Sequence, residues 1–538
     1  MVLFPVYIIM IPILSSIFIY LIKHKHMHWF AFFSQALITI LAIIYFNHFN
    51  PLSFAETTFT FGNYDRGIGI SLANDNLSMS FVFLAIFSWW MVFLYTFRKG
   101  KTDHTMLFFL MYLQGVFLGF LQTNDLFNLF VFFELTTIIV TILIAFKKSG
   151  SVLRAALYYL LLNTSGVLAF LIGIIFIYNV FGTINMQSVA EMMVHYKDYN
   201  VIRFAFVLML AGVSVKAALF PVFTWLPKAH GAAQAHISAL LSGLIVKGGL
   251  YLFIRLNDMF SAANYNYSDF FFVIGVITAV VGIVLAITQL DIKQMLAYST
   301  ISQVGLIMVG ISSSNAEVFG GGILHIFNHA LFKILLFLGA GVVIKVYKTK
   351  YVTEIRGMMR TLPGVSIAMI IAMLSITGAP LLNGFISKSI IIYGFENTDI
   401  RYWILFISNI GTATLFVKMS QIFFGEKQIS YLMKIPLQST VLFTISLALI
   451  IFGNFYLPIG RGFFGIDFKA IEMYSFSAFF DYAVTIVLAF LTYYVLVRKD
   501  TKPVQTMRRF MVSFETANML FIGYIVLLTT YFLLFILI

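Results

Sequence analysis

The chain is a near-continuous succession of sixteen apolar stretches, each close to the length that crosses a bilayer, divided by short polar breaks. A helix needs ~20 apolar residues to span the hydrocarbon core, and a backbone group left unpaired in lipid costs several kcal/mol. A chain patterned this way is therefore confined to a bundle of spanning helices. The expected spans are 2–22, 29–46, 75–97, 105–122, 125–146, 155–181, 202–221 and 236–257, followed by 269–289, 294–312, 318–345, 364–392, 402–424, 437–457, 473–497 and 514–538. A charged fraction of 10% excludes an ordinary soluble globule, in which about a quarter of residues are charged. Met1–Ile22 has neither a basic n-region nor a small-residue cleavage site, so it is expected to be the first span rather than a cleaved signal.

The net charge of +13 invites a nucleic-acid reading, but its distribution points to topology instead. Of the 34 Lys and Arg, 22 fall in the odd-numbered connections and 7 in the even-numbered ones. One missed or invented helix near the start would scramble that alternation. Both termini are thus expected outside a plasma membrane that the chain crosses many times, with the basic loops in the cytoplasm, mostly against anionic lipid. The longest connection, about 47–74, alternates polar and aromatic residues between glycines and is expected to form a small external hairpin. The chain has no cysteine, which excludes disulfides, thiolate metal sites and cysteine-ligated clusters. It carries no Walker-type signature, so ATP is not expected to drive it directly. No cofactor, metal or nucleic-acid partner is expected.

Five basic residues remain outside the connections: Lys216, Lys247, Lys333, Lys388 and Lys418; Glu134 and Asp481 also fall within spans. A charge at the bilayer centre costs a few kcal/mol or more, so it survives facing protein or a hydrated cavity, where function is the default reading. Glu134, in LFNLFVFFELTTIIV, is near mid-membrane with no sequence neighbour to pair with. Lys216 stands five residues before Pro221, and a proline inside a span frees carbonyls that need partners. Its bland reading, snorkelling to the interface, fits poorly with a central position. Lys247 is bracketed by Ser238, Ala239, Ser242, Gly243, Gly248 and Gly249, small residues that permit close helix approach. His230 and His236 flank that helix start, either as relay groups or as interfacial hydrogen-bonders.

His325, His329 and Lys333 lie at i, i+4 and i+8, along one stripe of a helix. Zinc ligation is the weaker reading, since no Glu follows the first His and no third ligand is evident. A proton wire fits better, because histidine titrates near neutral pH. Lys388 follows Gly378, Pro380 and Gly384, a second helix break of the Lys216–Pro221 kind, as expected of a repeated design. Lys418 and Asp481 sit nearer span ends, where snorkelling or a local pair is favoured. Asp75 is read as a helix N-cap.

These residues carry a resemblance. The segments NLFVFFEL, VKAALFPVFTWLPKAHGAAQAHISALLSGLIVKGGLY, DIKQMLAYSTISQVGL, LHIFNHALFKILLFLGAG and TGAPLLNGFISK run in order across about residues 70–425. Together they resemble the antiporter-like subunits shared by respiratory complex I, Mrp-type multisubunit cation/proton antiporters and membrane-bound hydrogenases, with the Mrp D-type nearest. The resemblance implies an all-α polytopic fold: a fourteen-helix core with two inverted five-helix repeats, broken helices 7 and 12, and here about two extra C-terminal helices. It divides the chain into 1–100 (helices 1–3), 101–260 (helices 4–8), 261–428 (helices 9–13) and 429–538 (helices 14–16). It implies that Glu134 and Lys216 form a coupled pair in the first half-channel. Lys247 would connect it through His325, His329 and Lys333 to Lys388 in the second.

The function implied is a proton-translocating subunit of a larger membrane complex, with sodium/proton exchange left open. Two alternatives stand beside it. One is the proton-pumping membrane subunit of a quinone reductase or hydrogenase, a translocase part of an enzyme whose redox centres lie elsewhere. The other is the membrane subunit of an inorganic-carbon uptake system. The expected partners are other membrane subunits, lipid and protons, with Na+ open.

Overall fold

The computed structural model describes residues 3–48, 57–60, 69–97, 103–196, 199–263, 265, 267–396, 398–428, 436–472, 474–510 and 512–534. Helices α1 (Phe4–Ile22) and α2 (Met27–His48) open the chain, and strands β1 (Thr57–Thr60) and β2 (Ser71–Asn74) lead into α3 (Asn76–Thr96). Then come α4 (His104–Gln122), α5 (Leu126–Ala145), α6 (Gly150–Phe181), the short α7 (Met186–Tyr196), α8 (Asn200–Ala217) and α9 (Trp225–Ala232). α10 (Ala235–Leu240) passes through a π turn, Leu241–Ile245, into α11 (Val246–Met259). They are followed by α12 (Ser268–Thr288), α13 (Ile292–Ile311), α14 (Ala316–Tyr347), α15 (Met358–Thr361), α16 (Pro363–Thr377) and α17 (Asn383–Tyr393). The chain closes with α18 (Ile400–Ser420), α19 (Pro436–Asn454), α20 (Tyr456–Ile459), α21 (Phe476–Thr492), α22 (Lys502–Arg508) and α23 (Phe514–Leu534).

Fifteen helices among the described residues are long and apolar enough to cross a membrane. The remaining expected span, 364–392, is split into α16 and α17, so all sixteen have helical counterparts. Within the 47–74 connection, β1 and β2 pair antiparallel from Thr57–Asn74 to Thr60–Ser71, the expected hairpin; its residues 49–56 and 61–68 lie outside the described ones.

Acidic side chains begin several spans. The carboxylates of Asp103 and Asp125 accept from the Met106 and Asn128 amides at 3.0 and 2.6 Å, filling donors that a helix start leaves open. Asp75 does the same at α3, within a capping box shared with Ser78, as its position in the sequence implies. It also forms a bidentate pair with Arg255, 2.6 Å on each arm, tying α3 to the end of α11.

Three cations depart from their expected surroundings. Lys293, counted with the loops, lies buried in the first turn of α13, where its ammonium donates to the carbonyls of His230 (3.1 Å) and Ala233 at the end of α9. Lys228 is likewise on a helix, α9. Lys418, expected to snorkel or to form a local pair, is buried and donates at 2.6 Å to the carbonyls of both Ile287 and Gln289 at the end of α12. A cation at a helix C-terminus satisfies carbonyls that the helix cannot. Asp481 is exposed on α21.

The helices differ sharply in burial. The apolar window of α10–α11 is entirely buried and that of α13 94% buried, whereas α21 reaches only 17%. Outward faces of the rim helices stay apolar, as lipid requires, and the costly charges collect on the central helices.

Candidate functional site

The site is built on two broken helices and the unbroken ones between them. α8 ends at Ala217, Ala218 turns left-handed at φ 58°, and helix resumes at Trp225. α16 ends at Thr377, Gly378 turns at φ 86°, and α17 starts at Asn383. Lys216 therefore stands in the last turn before the first break, and Lys388 in the helix after the second. Close packing holds both breaks. A Cβ on Gly249 would meet the Ala217 backbone nitrogen at 2.6 Å, and one on Gly384 would meet the Ser375 carbonyl at 1.8 Å. Only hydrogen fits at either place, so α11 seats directly against the Lys216 turn and α17 against the end of α16.

Lys216, Lys247, Lys333 and Lys388 are at most 3% exposed. None of them, nor Glu134, takes part in any of the six salt bridges among the described residues. Lys216 donates to Thr137 Oγ1 at 3.0 Å and its Nζ lies 4.9 Å from the Phe133 ring centre. Glu134, one turn before Thr137 on α5, accepts from Thr164 Oγ1 on α6 at 3.1 Å. The carboxylate and the ammonium thus share a neighbourhood but are not closed into an ion pair.

The other lysines also rest on neutral oxygens. Lys247 donates to the Ser242 carbonyl in the π turn, where the extra residue per turn disturbs the regular ladder. Ser242 Oγ lies 2.8 Å from Thr300 Oγ1, which donates to the Leu296 carbonyl at 2.9 Å. That carbonyl accepts from Lys333 at 3.0 Å, and Lys333 also donates to Ser299 Oγ at 2.5 Å. Polar contacts therefore step from Lys247 on α11 through Ser242 and the α13 residues Thr300 and Leu296 to Lys333 on α14, with the hydrogen bonding interrupted between the Ser242 carbonyl and its hydroxyl. Lys388 donates to the Ile376 carbonyl at 2.6 Å and to Asn409 Oδ1 at 2.7 Å.

His325, His329 and Lys333 share the expected stripe of α14, but their surroundings differ. His325 bridges Ser387 Oγ at 2.8 Å and Gln303 Oε1 at 3.1 Å, which places it one residue along α17 from Lys388. His329 is fully buried and neither ring nitrogen has a hydrogen-bond partner; Phe332 meets it edge-on with centroids 5.3 Å apart. His230 stacks on Phe337 at 4.5 Å, also with both ring nitrogens unpartnered. No hydrogen bond joins Lys216 to Lys247 among the described residues, although their helices pack together, most tightly at Gly249.

A family described as "NADH:quinone oxidoreductase/Mrp antiporter, TM" matches residues 123–416, a stretch that holds every one of these groups from Glu134 to Lys388. The chain belongs to that family. The D subunit of a Na(+)/H(+) antiporter from Alkalihalophilus pseudofirmus is 29% identical over 430 residues, 78% of this chain and 87% of that protein. A putative antiporter subunit of Staphylococcus aureus is 28% identical over 457 residues, 82% and 90% of the two chains. The fold is shared with a chain of the membrane-bound sulfane sulfur reductase, an archaeal respiratory complex (TM-score 0.79, 24% identity, 90% and 99% covered). It is shared also with a chain of the Mrp complex from Dietzia sp. (TM-score 0.76, 17% identity, 94% and 99% covered).

Within this antiporter family architecture, the groups overlooked in the sequence are the neutral partners: Thr137, Thr164, Ser242, Ser299, Thr300, Gln303 and Asn409. Two signals were available. Thr137 stands three residues after Glu134, on the same helix face. Ser299, Thr300, Ser302 and Gln303 form a polar knot within an otherwise apolar span.

Proposed function

We propose that this chain is the proton-translocating subunit of a multisubunit cation/proton antiporter-type membrane complex, with Glu134, Lys216, Lys247, Lys333, His329, His325 and Lys388 as its proton-carrying groups. One observation carries the reading: four buried lysines rest on hydroxyl, amide and carbonyl oxygens, none on a carboxylate. An amine keeps N–H donors for such oxygens whether or not it holds its third proton. Loading and unloading therefore leave the partners satisfied, whereas a buried carboxylate partner would be stranded by the loss. Intramembrane ionisable residues set in this way mark proton relays.

Glu134 supplies the switch. Its attraction for the Lys216 ammonium rises steeply on approach in a medium of low dielectric, so a small displacement changes which group holds the proton. The relatives named as antiporter subunits favour exchange against a cation over redox-driven pumping. The same reading gives the chain its other membrane subunits as partners. It also supports the division into two central repeats, 101–260 and 261–428, and both termini outside the plasma membrane. The test is a pH-gradient assay in everted vesicles carrying the complete complex. Glu134→Ala, Lys216→Ala and Lys388→Ala are expected to abolish cation-induced collapse of the gradient while the complex still assembles. Full exchange with Lys216→Ala would overturn the pathway.

A further inference from the structure

Away from the proton-carrying row, the bundle holds a cavity of about 950 Å³ where the end of α1, the start of α2, the start of α4 and the end of α14 meet. That volume is at the upper end of small-molecule sites, ~300–1,000 Å³. Its lining includes Lys23, Lys25, Lys345, His28 and His104, against one carboxylate among the described residues, Asp103. Asp103 is already engaged, because it caps α4 through the Met106 amide. Lys23 and Lys345 form no salt bridge among the described residues, and the lining is net positive even with every histidine neutral.

A second hollow of about 400 Å³ is lined by sequence neighbours of the same segments, and its described lining is apolar: Trp29, Phe32, Trp90, Leu94, Phe97 and Leu437. Three chain segments serve both. His28 faces the polar cavity and Trp29 the apolar hollow; Tyr95 and Thr96 sit between Leu94 and Phe97; Gln438 follows Leu437. The aromatic wall is ordered: Phe32 stacks on Trp90 (6.0 Å, 7°), and Trp29 packs edge-on against Phe97 at 5.6 Å. Trp29 remains 62% exposed, at the helix end where interfacial aromatic side chains gather.

We infer that the two hollows together form a binding site for one anionic phospholipid, its phosphate in the basic cavity and an acyl chain in the aromatic hollow. Charge sets the class: Lys23 and Lys345, gathered at span ends where the one described carboxylate already caps a helix, draw acidic headgroups rather than zwitterionic ones. The three segments whose consecutive residues line a polar and an apolar hollow set the rest, since a free anion has no use for the second. The site is independent of the transport reading, because none of its residues belongs to the proton-carrying row.

Native mass spectrometry of the delipidated full chain, with whatever membrane subunits co-purify, tests it by titration with phosphatidylglycerol and phosphatidylcholine. The wild type is expected to hold one phosphatidylglycerol in preference to phosphatidylcholine. Lys23→Gln with Lys345→Gln is expected to weaken it roughly thirtyfold. Both lysines are exposed, so the delipidated melting temperature should not move, and Lys345→Arg alone should leave binding intact. Trp29→Ala is expected to weaken phosphatidylglycerol while leaving displacement by inorganic phosphate unchanged. Equal retention of the two lipids, or phosphatidylglycerol binding untouched by the double substitution, would overturn the site. Loss of lipid preference with Trp29→Ala having no effect would reduce it to a free-anion pocket and equally defeat the proposal.

Discussion

The two broken helices carry their lysines in opposite company. At the first, Lys216 sits within reach of a carboxylate that does not yet touch it, Glu134, with Thr137 as its immediate partner. At the second, Lys388 is held by the Ile376 carbonyl and the Asn409 amide oxygen, and no acidic group is bonded to it. The first lysine thus has a charge of opposite sign close by, while the described partners of the second are neutral oxygens. If both carry protons, the second lysine takes its cue from the row that reaches it through His325 and Ser387, and the first from Glu134. Both lysines stand beside a helix break, but their partners differ.

The largest expected effect comes from removing the charge beside Lys216. Glu134→Gln keeps the Thr164 hydrogen bond but cannot attract the ammonium, and exchange in everted vesicles should fall roughly 100-fold, the scale of losing a proton-transfer group. Next comes the reverse experiment, giving the second half what the first possesses. Asn409→Asp places a permanent carboxylate beside Lys388 and should fix the proton there, slowing exchange roughly tenfold. Unchanged or faster exchange in Asn409→Asp would erase the asymmetry between the halves.

Much of this architecture was legible in the chain, for reasons that differ by level. The spans were, because lipid admits apolar helices and little else, and all sixteen have counterparts. The stripe of His325, His329 and Lys333 was, because helical spacing alone places them together. The acceptors were not. That Thr137 serves Lys216, or Asn409 serves Lys388, depends on which helices are neighbours, and threonine and asparagine inside a span carry no mark of their partner. The carbonyl partners of Lys293 and Lys418 were hidden for the same reason: a lysine that caps another helix's carbonyls reads, along its own helix, as an interfacial charge.

Packing at the breaks provides the next test, read as stability. Gly384→Ala forces a methyl against the Ser375 carbonyl, and Gly249→Ala forces one against the Ala217 backbone. Each is expected to cost about 1–3 kcal/mol, seen as a lower melting temperature in detergent, with Gly384→Ala the worse because its contact is closer. Equal melting for both variants and wild type would show that these breaks are loosely held.

The smallest effect concerns the tie that the first half has at its helix end. Arg255 closes α11 onto α3 through Asp75, and no salt bridge anchors α17 among the described residues. Burial pushes the Asp75 carboxyl upward, but the Arg255 guanidinium and the Ser78 hydrogen bonds outweigh it and hold it down at about 2. A carboxyl depressed below its unfolded value, about 3.9, stabilises the fold above that pH. It loses this contribution as pH falls toward its folded value. Melting of the wild type in detergent should therefore drop more steeply between pH 4 and pH 2 than melting of Asp75→Asn, which has no proton to gain. The difference should be modest, because about a third of the Asp75 side chain meets solvent, which screens the pair. Parallel curves for the two proteins would mean that the helix cap, and not the arginine, is what Asp75 contributes.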